Sequence, residues 1–206
     1  KIKKLKMKYF NVLVTCAGGD LSPYLINFLK NDSKHKDLKV IATDNKPNAI
    51  GKYFSDFFEV VPKGNSRNYI KKIKTIVNKY KVNLVIPGSD EEAINLAKNR
   101  AVIEGKNTQL ACIDFKNLKI LSSKSETYKT LEENGFKLPN WQSAQNQKQF
   151  IKFLSTYINK KRSFIIKPAS TRGGRDVSVI KFNKRTLNKI KKSKKKYLNN
   201  LKKKYF

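Results

Sequence analysis

Two cysteines in 206 residues are too few for a disulfide framework. Cys16 and Cys112 lie far apart, each in an apolar, strand-like context, which reads as two reduced core thiols in a cytoplasmic protein rather than a bridge or a metal site. The single histidine, His35, falls in the polar run NDSKHKDLK and reads as solvated. No apolar run reaches the length of about 18 residues that a transmembrane helix needs, so none is expected. A basic N-terminus followed by YFNVLVTCA has the outline of a signal peptide, but its apolar part is short and is interrupted by Asn11. The only methionine, Met7, reads as the native start, with Lys1 to Lys6 as upstream read-through or a cloning remnant.

Acidic residues are scarce too: 15 against 46 lysines and arginines, a formal net charge of +31. Such an excess proposes a nucleic acid or an anionic membrane as partner. The shortage of arginine argues against it. The residue that reads phosphates and guanines bidentately occurs only at positions 67, 100, 162, 172, 175 and 185, and the remaining positive charge is lysine. Lysine is abundant here together with Asn, Ile, Phe and Tyr, which share AT-rich codons. A biased genome therefore accounts for the composition, and small molecules rather than nucleic acid or membrane are the expected partners.

What the chain does contain is an alternation of apolar runs and helical periods. YFNVLVTCA reads as a buried strand, LSPYLINFLKND as a helix with apolar residues at 21, 25, 28 and 29, LKVIATD as a second strand and DFFEVVP as a third. RNYIKKIKTIVNKYK has apolar spacing at 70, 73, 76 and 77, NLVIPG is a strand, DEEAINLAKNRAVIEGK a helix opened by acidic residues, and QLACID closes the series. The expected fold class is α/β: a doubly wound, mostly parallel, Rossmann-like sheet over residues 8–115, with its functional edge at the strand C-termini.

At that edge the first turn, TCAGGDLS, carries Gly18 and Gly19, but Cys16 and Leu21 stand where the dinucleotide fingerprint G-x-G-x-x-G needs glycine, which removes NAD as the expected occupant. Asp44 ends the second strand, and Asp90, Glu91 and Glu92 follow the strand NLVIPG. Gly18, Gly19, Asp44, Asp90 and Glu91 are the candidate substrate-binding set; helix capping and dipole complementarity are the plainer reading of the acids.

After residue 115 the texture changes to a smaller α+β unit, 116–206. NLKILSSKSETYKTLEENGFKLPNWQ is helical and ends at Gly135, and NQKQFIKFLSTYINKK is another helix. FIIKPASTRGGRDVSVI then reads as a hairpin over 164–180, with Lys167 at the mouth of the loop. Gly173 and Gly174 free backbone N–H groups there, and Ser170, Thr171, Arg172 and Arg175 add donors, which suits a polyphosphate. It is not a P-loop, since G-x-x-x-x-G-K-[ST] is absent, and an ordinary long hairpin loop remains the alternative. The last segment shows a helical stripe at Leu187, Ile190, Tyr197, Leu201 and Tyr205; a basic amphipathic helix that binds a membrane surface or RNA is its other reading.

Order and spacing together carry a resemblance. SSKSETYKTLEENGFKLP followed by SFIIKPASTRGGRDVSVI looks like the first half of an ATP-grasp domain, and the preceding NVLVTCAGGD to DEEAINLA resembles the domain before it in carbamoyl-phosphate synthase large subunit-like carboxylate–amine ligases. The resemblance implies an ATP-dependent ligase that activates a carboxylate as an acyl phosphate for attack by an amine. It implies ATP phosphate contacts from Lys124 and Lys167 under a lid of Ser170, Thr171, Arg172, Gly173 and Gly174, with Mg2+ held by residues of a later half that these 206 residues lack. The chain then reads as the N-terminal portion of the ligase, inactive alone, from a family in which homodimers are common. A nucleic-acid-binding α/β module and an inert Rossmann-like binding protein are the competing classes.

Overall fold

The computed structural model describes residues 9–31, 37–170 and 176–205. It divides into two units, Lys1–Lys119 and Ile120–Phe206.

In the first unit, five parallel strands run β1 (Phe10–Val14), β2 (Leu38–Asp44), β3 (Phe57–Val60), β4 (Leu84–Ile86) and β5 (Gln109–Leu110), side by side in the order β3-β2-β1-β4-β5. Both pairings of β1 are parallel, Val12 facing Val40 on one side and Leu84 on the other. The doubly wound α/β sheet read from the sequence is what forms. Strand alternation explains its two cores. Leu13, Ile41, Val85 and Leu110 point to one face, while Val12, Val14, Val40 and Ala42 point to the other. Helix α1 (Ser22–Asn31) covers the second face with Ile26. Helices α2 (Tyr69–Tyr80), α3 (Asp90–Lys98) and α4 (Arg100–Ile103) cover the first with Tyr69, Ile73, Ile76, Val77, Leu96 and Ile103. Burying each such side chain stabilises by about 1.5–3 kcal/mol, so Leu13→Ala, at the centre of the sheet, costs about 2–5 kcal/mol.

The first unit departs from the sequence reading at several points. DEEAINLAKNRAVIEGK breaks into α3 and α4 at Asn99, whose side-chain amide donates to the Asn95 carbonyl at 2.9 Å and competes with the helical ladder. QLACID pairs over only two residues, because the Arg100 guanidinium takes the carbonyls of Leu110, Cys112 and Ile113. Cys16 and Cys112 form no disulfide and are half-buried, each beyond the end of its strand, with Cys112 packed against the first core. His35 lies outside the described residues.

The second unit opens with α5 (Phe115–Leu121), which crosses the division, and α6 (Lys124–Glu133); the expected single helix is interrupted at Ser122 and Ser123 because Ser123 caps α6, accepting from the Glu126 N–H at 3.4 Å. Helix α7 (Gln147–Asn159) packs Phe150, Leu154 and Ile158 against Phe164 and Ile166, the inner face of an antiparallel hairpin, β6 (Phe164–Ile166) with β7 (Ser178–Ile180). Helix α8 (Lys184–Tyr205) bends at Ser193 (φ −167°, ψ 98°), whose hydroxyl accepts from Lys196 N–H and restarts the helix. Leu198, which the expected stripe omits, is buried in this core, and Leu201, which the stripe includes, packs against it.

Candidate functional site

The order β3-β2-β1-β4-β5 reverses direction at β1, so the crevice beyond the ends of β1 and β4 is the switch point where open α/β sheets take ligands. Gly18 and Gly19 lie in the turn that leaves β1. Cys16 begins it with φ +52°, a left-handed conformation that any side chain but glycine adopts at a cost, and its carbonyl accepts from Gly19 N–H at 3.0 Å and from the Ser22 hydroxyl at 3.1 Å. A tight anchored turn forms although the glycine fingerprint is absent.

Asp44, at the end of β2, is buried, and its carboxylate accepts from Gly18 N–H at 2.7 Å and Lys46 N–H at 2.9 Å. A Cβ on Gly18 would stand 2.9 Å from that same oxygen, so a side chain there would push the Asp44 carboxylate aside. Asp90 and Glu91 occupy the exposed first turn of α3, which their charge favours at the positive end of the helix.

Glu92, the third acid of that run, was not among the sequence-derived site residues, yet it is the buried one. Its Oε2 accepts from the Thr15 hydroxyl at 2.7 Å and the Ser89 hydroxyl at 3.2 Å, while Thr15 Oγ1 accepts from Gly88 N–H at 3.2 Å. Burial, reinforced by the Asp44 charge, pushes the Glu92 carboxyl above the usual carboxylate range in spite of those donors. The Tyr69 hydroxyl is buried beside Glu92 and Thr15, and burial first, then the Glu92 charge, raises its pKa as well. The spacing Ser89-x-x-Glu92, a capping-box pattern, was the signal available in the sequence.

In the second unit, two segments 44 residues apart come together. Lys124, the first residue of α6, donates from its backbone N–H to the Ala169 carbonyl at 2.9 Å and from Nζ to the Pro168 carbonyl at 3.1 Å. The α6 N-terminus is thereby stitched to the segment leaving β6, where Lys167 and Ser170 are exposed. Thr171, Arg172, Gly173 and Gly174 lie outside the described residues. Elsewhere, a cleft of about 640 Å³ between α2 and the α3–α4 pair, lined by Arg67, Lys71 and Lys74, holds none of the sequence-derived site residues. Among the described residues no helix is long and apolar enough to cross a membrane.

Residues 12–111 match the family described as PylC-like, N-terminal domain, and residues 109–205 the family described as sugar-transfer associated ATP-grasp. No curated protein matches by sequence. Among solved structures the chain resembles N5-carboxyaminoimidazole synthetase from Staphylococcus aureus complexed with ADP, at 16% identity and a TM-score of 0.63, over 91% of this chain and 45% of that one. It also resembles the biotin carboxylase domain dimer of Hydrogenobacter thermophilus 2-oxoglutarate carboxylase, in complex with MgADP, ADP and bicarbonate (13%, TM-score 0.56, 90% and 40%). A third is glycinamide-RNase-transformylase T from Mycobacterium tuberculosis (12%, TM-score 0.55, 83% and 43%). At these identities the likeness is one of fold, and the chain spans under half the length of these proteins. The two family models account for residues 12–205 in succession, each over just under half of the chain: a PylC-like N-terminal domain followed by an ATP-grasp one.

Proposed function

We propose that the protein carrying this chain is an ATP-dependent ligase that joins a carboxylate to an amine or similar nucleophile. In this reading residues 8–115 form the domain that receives substrate and 116–206 the first part of the nucleotide-binding domain. A carboxylate oxygen attacks the γ-phosphorus, the bond from that phosphorus to the leaving ADP oxygen breaks, and an acyl phosphate forms. The amine nitrogen then attacks the acyl carbon, and phosphate and a proton leave.

The observation that carries the reading is the seam between Lys124 and the Pro168–Ala169 backbone, which brings the N-terminus of α6 beside Lys167. Positive charge from Lys167, the α6 dipole and Lys124 converge on one loop, as charge developing on a transferring phosphoryl group requires. By the family resemblance Ser170, Thr171, Arg172, Gly173 and Gly174 also contact the ATP phosphates; the last four lie outside the described residues. Gly18, Gly19, Asp90 and Glu91 line the switch-point crevice for the carboxylate or amine substrate; Asp44 acts there by holding the Gly18 turn. The nucleotides in the S. aureus and H. thermophilus structures, ADP and MgADP, agree with ATP as co-substrate. Among the described residues no three His, Cys, Asp or Glu side chains gather as a magnesium ion needs, so these residues do not fit the cation.

The test is MgATP turnover by the protein carrying this chain, offered candidate carboxylates and amines, for Lys167→Ala, Lys124→Ala and a distant control, Lys152→Ala on α7. Loss of one preorganised positive contact to the phosphoryl group is expected to lower turnover by about 10²-fold. Wild-type turnover in Lys167→Ala, or an equal loss in Lys152→Ala, would refute the assignment.

A further inference from the structure

Glu92 has no part in the reaction above, and its burial calls for a reason. Among the described residues none of the ion pairs involves it. Its partners are neutral hydroxyls, and the aliphatic part of its side chain is packed against Gly64, where a Cβ would stand 2.6 Å from Glu92 Cγ. A carboxyl without a cation is a poor device for stability, because an apolar group of the same shape is commonly as good or better. It is a good device for geometry. One oxygen collects two hydroxyls, one from the end of β1 and one from the turn after β4, and Thr15 passes the connection on to Gly88 N–H.

The strand order gives those two turns their importance. β1 and β4 are neighbours in the sheet although Thr15 and Glu92 are 77 residues apart, and the crevice between their ends is the switch point. We propose that Glu92 is a positioning residue, which through Thr15 and Ser89 holds the turn after β1 against the turn after β4 and so sets the width of the crevice that receives substrate. The second clause rests on the ligase reading of that edge; the first does not.

The test separates turn geometry from fold stability. Glu92→Gln keeps shape and an acceptor, Glu92→Leu keeps only bulk, and Thr15→Val removes the hydroxyl while leaving the carboxyl in place. In each variant of the 206-residue chain, amide hydrogen exchange at Gly18, Gly19 and Gly88 is compared with exchange at Val14 and Val85 and with the urea midpoint. Expected for Glu92→Leu and Thr15→Val is exchange about tenfold faster at Gly88, extending to the Gly18–Gly19 turn, beyond whatever quickening the strand amides share with a lowered midpoint. Glu92→Gln restores slow exchange. Unchanged turn amides in Thr15→Val would overturn the proposal, as would a Glu92→Gln variant as loose as Glu92→Leu; should Glu92→Leu fail to fold, Thr15→Val decides on the same amides. None of these readouts involves ATP or substrate, so a failed ligase assay leaves them standing, and their failure leaves the ligase reading untouched.

Discussion

Replacing Gly88 by alanine tests how closely the ends of β1 and β4 approach each other. An alanine Cβ there would stand 2.1 Å from the Thr15 carbonyl oxygen and 3.1 Å from the Thr15 carbonyl carbon and Cys16 Cβ. The obstacle is backbone at the end of a central strand, which cannot swing aside as a side chain could, so the turn itself must move. Overpacking of this kind costs about 1–3 kcal/mol. The displacement also stretches the 3.2 Å bond from Gly88 N–H to Thr15 Oγ1, worth about 1 kcal/mol. The sum, about 2–4 kcal/mol, is a large part of the roughly 5–15 kcal/mol that holds a domain folded. Gly105 supplies the control: nothing lies within 4 Å of its would-be Cβ, so Gly105→Ala is neutral or gains about 0.4–1 kcal/mol by restricting the unfolded chain. Urea unfolding followed by circular dichroism, with amide exchange at Val14 and Val85 as a local check, gives both numbers. Gly88→Ala within about 0.5 kcal/mol of wild type, or Gly105→Ala as damaging as Gly88→Ala, would refute the steric argument.

Glu59 ties the edge strand β3 to α2: it accepts from Lys79 at 2.6 Å, Lys72 at 3.0 Å and the Tyr80 hydroxyl at 3.1 Å, and these bonds, that from Lys79 foremost, hold its pKa at about 2. Since the folded value lies below the unfolded one, its contribution is present above about pH 4.5 and is lost as pH falls through about 2. Glu59→Gln should cost about 1 kcal/mol at pH 7, the solvent-screened worth of such pairs, and nothing near pH 2; an equal cost at both pH values counts against the ion cluster. Glu92 has the opposite sign: its folded pKa is raised, so Glu92→Gln should gain stability at neutral pH, a gain that shrinks as pH falls through the folded value and is gone below the unfolded one, measured by urea midpoints across pH. Asp44→Ala strands the Gly18 and Lys46 N–H groups and should cost about 2–3 kcal/mol, with faster exchange at those two amides; unchanged exchange there would remove its role in the turn. Phe150→Ala, in the core shared by α7 and the hairpin, should cost about 3–5 kcal/mol in chemical unfolding, and less than about 1 would mean that α7 does not anchor β6.

The parallel sheet was legible because β1 and β2 are apolar on both faces, as strands covered by helices on each side must be, and because helical periods separate the strands. Helix ends were less legible. Asn99 and Ser123 interrupt what periodicity alone joins, since their side chains compete with the backbone ladder in a way that apolar spacing does not register. The nearness of Lys124 to the segment after Lys167 came only from family resemblance: nothing local relates a helix start to a strand end 44 residues later.

Glu92 is the most instructive case. In DEE, the sequence offers three acids at the start of a helix, and charge at a helix N-terminus explains all three equally well. Which of them turns inward depends on what lies under the first turn of α3, and that is Thr15, brought there by the pairing of β1 with β4. Helical phase alone leaves the choice open, because Asp90 and Glu91 face solvent on a helix too short to show a clear stripe. Ser89 breaks the tie, since a capping serine directs the third residue after it back toward the helix start, and α3 starts just beyond the end of β4 at the switch point. A local capping rule and a global strand order therefore select the same carboxyl, and it is their coincidence at Glu92 that turns an ordinary helix cap into a link between the two turns of the crevice.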